Sequence, residues 1–414
     1  MAHSNTTASI EAGMKALPDG VKAFSHTQAM WRFLNNEQVT PVHLSEPLLA
    51  NCHEAVTEIE GDYVLSMNDW SRINYGSHRS KKDRLQMTHQ HDVGYELQSS
   101  LLVDAENGKP LSVAAQNLVC AEGSWQSRCT TLQADDQTHL DELSERIGWL
   151  EQQQFARRLV HIVDREADSV DHLRRWSREG SQWLVRAKAG SQVRYGEETM
   201  ALSDVAAQLK FRFARQVTCK GQSCYQWIAS TTVVMTRKGH SKRSPKTQAM
   251  DPATNEVLSV RLVVSHILNE EGDVVAQWYL LSNVDHHIEA TTLALWYYYR
   301  WQIESFFKLL KAAGHQLESW EQETARATFN RLLIASQACV MAWRLMHAQE
   351  EAAKETCAFL VRLAGRQMKR TRPVTAPALL AGLFQLFAML DTLEHYSIAE
   401  LKHFANIAKQ KLNL

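Results

Sequence analysis

The stretch "WYYYRWQIESFFKLLK", Trp296 to Lys311, combines aromatic residues, an arginine, a glutamate and two lysines in what reads as one buried helix. On a helix turning about 100° per residue, Tyr297, Arg300, Glu304, Lys308 and Lys311 share a stripe about 80° wide. Trp296, Tyr299, Ile303, Phe306, Phe307 and Leu310 fill the adjoining arc of about 100°. The helix is therefore expected to lie against a core on one side and to hold a carboxylate among cations along the next. The same residues also fit a solvated face on which Glu304 pairs with Arg300 and Lys308 at helical spacing.

Two strands upstream favour a functional reading. "VLSMND" ends at Asp69, and "LVHIVD" ends at Asp164. A carboxylate closing an apolar strand stands at the lip of a sheet, although turn formers and helix caps also put aspartate there. With Glu304 these residues supply hard oxygen ligands of the kind Mg²⁺ takes. Two such ions, about 3.5 to 4 Å apart, activate a water or hydroxyl in phosphoryl transfer.

The order of elements around them is a mixed α/β pattern. "DYVLSMND", "GYELQSSLLVD" and "PLSVAAQNLV" read as adjacent antiparallel strands. The helix "QTHLDELSERIGWLEQQQFARR", the strand "LVHIVD", the helix "ADSVDHLRRWSREG" and the strand "QWLVRAK" follow. The boundaries expected are a helical region at 1–60, in which prolines break "TPVHLSEPLL", and a core at 61–189. A β-rich insertion without helix signal follows at 190–269, then the second part of the core at 270–350 and a helical region at 351–414.

The chain has 414 residues, 44% hydrophobic, with a formal net charge of -1. It has ample material for a core, and a nucleic-acid partner must be met by local basic patches. Those patches are "SHRSKKDR" (Arg79, Lys81, Lys82, Arg84), "TRKGHSKRSPK" (Arg237, Lys238, Lys242, Arg243) and "GRQMKRTRP" (Arg366, Lys369, Arg370, Arg372). Cys52, Cys120, Cys129, Cys219, Cys224, Cys339 and Cys357 lack zinc-ligand spacing and read as reduced thiols. No leader is evident, and the tract "LLIASQACVMAWRL" is interrupted by Ser336 and Gln337, so a cytoplasmic protein without membrane contact is expected.

Tyr297, Arg300, Glu304 and Lys311 reproduce the Tyr-x2-Arg-x3-Glu-x6-Lys signature, "DREAD" surrounds Asp164, and "NDWSRINYGSH" surrounds Asp69. In these motifs the chain resembles the DDE transposases of bacterial insertion sequences, in the YREK-signature subgroup. Trp70 stands where that family usually has threonine. The resemblance covers about residues 28 to 345 and implies an RNase H-like catalytic core. It implies that Asp69, Asp164 and Glu304 hold two Mg²⁺ ions, replaceable by Mn²⁺, for cleavage at transposon ends and strand transfer into target DNA. The implied partners are double-stranded DNA with terminal inverted repeats, target DNA and a second copy of the chain. Tyr297, Arg300, Lys308 and Lys311 would hold phosphates, with Trp278, Arg186, Trp301 and the second basic patch as further DNA contacts. A shortened, non-catalytic regulator and a host nuclease with the same chemistry are the competing readings.

Overall fold

The computed structural model describes residues 20–134, 138–219, 222–237, 257–365 and 374–412. It begins with α1 (Gly20–Asn35) and α2 (Pro41–Glu58). The prolines do not break α2, contrary to the sequence expectation. Pro41 lies in the first turn, where no N–H is needed, and the Thr40 hydroxyl caps that turn by accepting from the His43 N–H. Pro47 lies inside the helix. The burial of Leu44, Leu48, Cys52 and Val56, one helical turn apart, opposes the cost of the backbone bond it removes.

Then come β1 (Tyr63–Asn74), β2 (Leu85–Gln86), β3 (Val93–Asp104), β4 (Pro110–Cys120) and β5 (Gly123–Gln126). They are followed by α3 (His139–Gln152), β6 (Arg158–Val163), α4 (Val170–Arg178) and β7 (Gln182–Ala187). Strand β3 runs antiparallel to both β1 and β4, while β6 runs parallel to both β1 and β7. The spatial order β5-β4-β3-β1-β6-β7 joins an antiparallel meander to a parallel pair through its first strand. This is the mixed arrangement expected from the order of elements, and it agrees with the RNase H-like core that the resemblance implies.

The next segment contains β8 (Gln192–Tyr195), β9 (Glu198–Ala201), α5 (Leu202–Ala207), β10 (Arg212–Cys219), β11 (Gln222–Met235), β12 (Leu258–Leu268) and β13 (Val274–Ser282). Its strands prolong the core sheet: β13 pairs with β7 on one side and β12 on the other, within a 13-stranded sheet. The short α5 departs from an all-strand reading, and its buried Leu202, Val205 and Ala206 show the i, i+3, i+4 spacing that places it on the sheet.

The remaining helices are α6 (Ala290–Tyr299), α7 (Trp301–Leu310), α8 (Ala325–His347), α9 (Glu351–Leu363), α10 (Ala376–His395) and α11 (Ile398–Leu412). The long α8 is the structural axis on this side of the sheet. Ser336 bonds Gln116, Gln337 bonds the Leu44 carbonyl, and Asn330 bonds the Leu34 carbonyl. The polar residues that interrupt its apolar run are thus its buried anchors to β4, α2 and α1. Phe306, Trp320 and Phe329 pack in the same core, each contributing about 2 to 3 kcal/mol by burial.

Among the described residues one helix, α10, is long and apolar enough to cross a membrane, whereas the sequence reading weighed only the tract now in α8 and expected no such helix. Its first half is docked in the fold: Ala378, Leu379 and Gly382 are buried, and a Cβ on Gly382 would meet the Leu360 carbonyl oxygen at 2.1 Å. Cys52, Cys120, Cys224, Cys339 and Cys357 are buried free thiols.

Candidate active site

The parallel pairing of β1 and β6 ends at Asn68 opposite Val163. Asp69 and Asp164 are the next residues on their strands, so the two carboxylates leave the sheet at the same level. Asp69 is not the end of its strand, as the sequence suggested. β1 continues to Asn74 because its antiparallel pairing with β3 runs on past the parallel partner. Asp164 does terminate β6, and its carboxylate accepts from the Arg165 N–H at 2.6 Å, capping the 3₁₀ turn Arg165–Ala167. The Trp70 N–H donates to Asp69 at 2.9 Å, and the Trp70 ring packs on His139 with centroids 5.1 Å apart.

The expected single helix over Trp296–Lys311 is two, α6 and α7, joined at Arg300. There the ladder tightens to three-residue steps: Arg300 N–H to Tyr297 O and Ile303 N–H to Arg300 O, each 3.1 Å. The joint aims the Arg300 guanidinium at the strand ends. Its Nη1 donates to Asp69 Oδ2 at 2.6 Å, and its Nη2 reaches Glu304 Oε1 at 3.1 Å and Asp164 Oδ2 at 3.4 Å. Carboxylates from β1, the end of β6 and α7 therefore converge on one cation. The Tyr297 hydroxyl donates to Asp164 Oδ1 at 2.9 Å, and Arg186 on β7 approaches the same oxygen at 3.6 Å.

This crowding has opposite effects on the two aspartates. Burial raises the Asp69 carboxyl above its ordinary range against the pull of Arg300, and Asp164 and Glu304 add to the rise. Burial acts on Asp164 in the same sense, but Arg300, the Arg165 N–H, the Tyr297 hydroxyl and Arg186 outweigh it and hold that carboxyl low. Burial disfavours the charged form of Arg300, yet the interactions with Tyr297 and with the carboxylates of Asp69, Asp164 and Glu304 push it above its usual value. It is a fixed cation at any working pH.

The other sequence candidates are placed unevenly. Trp278 on β13 is half-buried and packs edge-on against Tyr297, with ring centroids 5.2 Å apart. Trp301 is 56% exposed, with the Lys308 ammonium 4.8 Å from its ring. Lys311 is the C-cap of α7: its N–H still bonds the Phe307 carbonyl at 3.0 Å, and the chain leaves the helix after it. Its ammonium donates to the Arg72 carbonyl and lies 3.8 Å from Glu318, a partner that no spacing rule indicated. Arg237 is tied to Asp168 at 3.2 Å, whereas Lys238, Lys242 and Arg243 lie outside the described residues, as do Arg366, Lys369, Arg370 and Arg372. In the first basic patch Arg79 and Lys82 are exposed, but Lys81 is buried, donating to the Gln322 carbonyl, and Arg84 bonds the Tyr75 carbonyl. Lys81 and Arg84 brace a loop and do not present charge to a ligand.

The donor set suits a hard divalent cation, three carboxylates from three elements turned toward one positive centre. Among the described residues no three His, Cys, Asp or Glu side chains form a closed chelating group. The guanidinium, bonded to each carboxylate, stands in for the ion. The chemistry of the site fits a metal, and its present spacing fits arginine.

A family model described as a transposase DDE domain matches residues 128–339, just over half of the chain, a span that includes Asp164 and Glu304. No curated protein matches. Among solved structures, the chain aligns with the cryo-EM structure of piggyBac transposase synaptic complex with hairpin DNA. That alignment covers 98% of this chain and 75% of the other, with 10% identity and a TM-score of 0.36.

Proposed function

Because the chain belongs to the transposase DDE domain family, we propose that Asp69, Asp164 and Glu304 are the metal-binding active site of a DNA transposase that cuts element ends and joins them to target DNA. The observation that carries this reading is the convergence of the three carboxylates, 95 and 140 residues apart in sequence, on a single cation. Bound there, Mg²⁺ ions would supply Lewis-acid activation of a water or 3′-hydroxyl and stabilise the leaving oxygen.

The chain's own residues prepare that site. The Tyr297 hydroxyl and Arg186 fix the Asp164 carboxylate, and the Trp70 N–H fixes that of Asp69. Trp301 and Lys308 offer an exposed aromatic and cation beside the site, where a DNA strand would lie, and Trp278 offers a half-buried ring next to Tyr297. Within the family, the spacing of Tyr297, Arg300, Glu304 and Lys311 supports the YREK-signature subgroup and a cut-and-paste route. Terminal inverted repeats would be the DNA partner, with a second copy of the chain assembled through the helices after 350.

The test is incubation of the purified chain with Mg²⁺ and a plasmid carrying the DNA that flanks its gene. Cut ends recovered covalently joined to a second plasmid support the proposal. Cleavage without joining replaces it with a host nuclease. Specific binding without cleavage replaces it with a regulator.

A further inference from the structure

Arg300 occupies the point at which the three carboxylates meet, the place that a metal ion shared by them would take. Its guanidinium donates to Asp69 Oδ2 at 2.6 Å and Glu304 Oε1 at 3.1 Å, and pairs with Asp164 Oδ2 at 3.4 Å. A guanidinium and a divalent ion cannot occupy the same point between those oxygens, and two cations held that close repel each other. Arg186, the other cation nearby, is different: it reaches only Asp164, at 3.6 Å from the side.

Arg300 lies at the joint between α6 and α7, and its guanidinium can be redirected by rotation about its own side-chain bonds with the backbone fixed. Its side chain is 11% exposed, which leaves an exit toward solvent. A DNA phosphate offers a guanidinium a bidentate partner comparable to a carboxylate.

Resting on the assignment of Asp69, Asp164 and Glu304 as metal ligands, we infer that Arg300 is a resident counter-ion that closes the site in the free protein. Divalent metal is admitted only when Arg300 withdraws, and DNA phosphate is the group that draws it out. Metal loading is thereby coupled to DNA binding.

The test is Mn²⁺ binding to the purified full chain, followed by calorimetry and by the electron paramagnetic resonance of the ion. Without DNA, Arg300→Gln binds Mn²⁺ at least about tenfold more tightly than the parent. Arg186→Gln, which removes equal charge without opening the centre, changes affinity less than about threefold. A duplex carrying an element end tightens Mn²⁺ binding to the parent by about tenfold and to Arg300→Gln by much less. Equal affinity in the parent, Arg300→Gln and Arg186→Gln overturns the inference and leaves the metal site standing. Absence of Mn²⁺ binding in all three, with and without DNA, removes the metal-ligand assignment and the inference with it. Should Arg300→Gln fail to fold, the parent alone decides, since a metal affinity unchanged by DNA overturns the coupling.

Discussion

Replacing Glu304 by glutamine should separate chemistry from stability. The Glu304 side chain is 31% exposed and contacts Arg300 at 3.1 Å, while Arg300 retains Asp69 and Asp164. A partly exposed ion pair at this helical spacing contributes about 0.3 to 1 kcal/mol. Glutamine keeps the side chain's length and an amide oxygen to accept from Arg300, so the melting temperature should move by less than about 4 °C. Catalysis loses one of three charged oxygen donors. At about 1.4 kcal/mol per tenfold in rate, loss of about 4 kcal/mol of transition-state stabilisation lowers single-turnover cleavage about a thousandfold. The assay is single-turnover cutting of a labelled element-end duplex at saturating protein, with circular dichroism melts of both proteins. Cutting within tenfold of the parent refutes the role of Glu304, and a melting point lowered by about 10 °C or more refutes the claim that its role is chemical and not structural.

Two further outcomes test the scaffold. His315 is buried with neither ring nitrogen hydrogen-bonded, and burial, reinforced by Arg331, lowers it from 6.5 to about 3. Its contribution to stability is therefore complete above pH 6.5 and is lost as pH falls toward 3, since only the unfolded chain takes up the proton in that window. Between pH 7.5 and 4.5 the parent should lose about 2 to 3 kcal/mol through this residue. His315→Phe should flatten that part of the urea-midpoint profile, and an unchanged slope would show that other groups cause it. Gly108 has φ +72°, and a Cβ there would lie 2.5 Å from the Tyr299 ring, at the end of α6 just before Arg300. Gly108→Ala should cost about 2 kcal/mol in denaturant unfolding with no change in m value. A change below about 0.5 kcal/mol would mean that the ring gives way freely.

Much of the site was legible in the sequence because strand ends and helical period are local properties. Asp164 closes β6 as its apolar run suggests, and the order of strands and helices from β1 to β7 follows the pattern of residues. What the sequence hid depends on partners far along the chain. "ND" after an apolar run reads as a turn, yet β1 continues through it because β3 supplies an antiparallel partner where β6 stops. Counting helical turns gave Lys311 a direction but no partner, and its ammonium meets the Arg72 carbonyl and Glu318, both distant in sequence or outside the helix. The wheel put Arg300 beside Glu304, but nothing local revealed that its guanidinium also reaches Asp69 and Asp164. Lys81 shows the opposite limit: a basic loop looks solvated until the Gln322 carbonyl that buries one of its lysines is known.

The most direct measurement is anomalous scattering from crystals of the chain bound to an element-end duplex and Mn²⁺. Peaks bonded to carboxylate oxygens of Asp69, Asp164 and Glu304, with Arg300 turned onto a phosphate, are the expected result. Ordered Mn²⁺ in that complex away from all three carboxylates, with Arg300 still bridging them, would contradict the account.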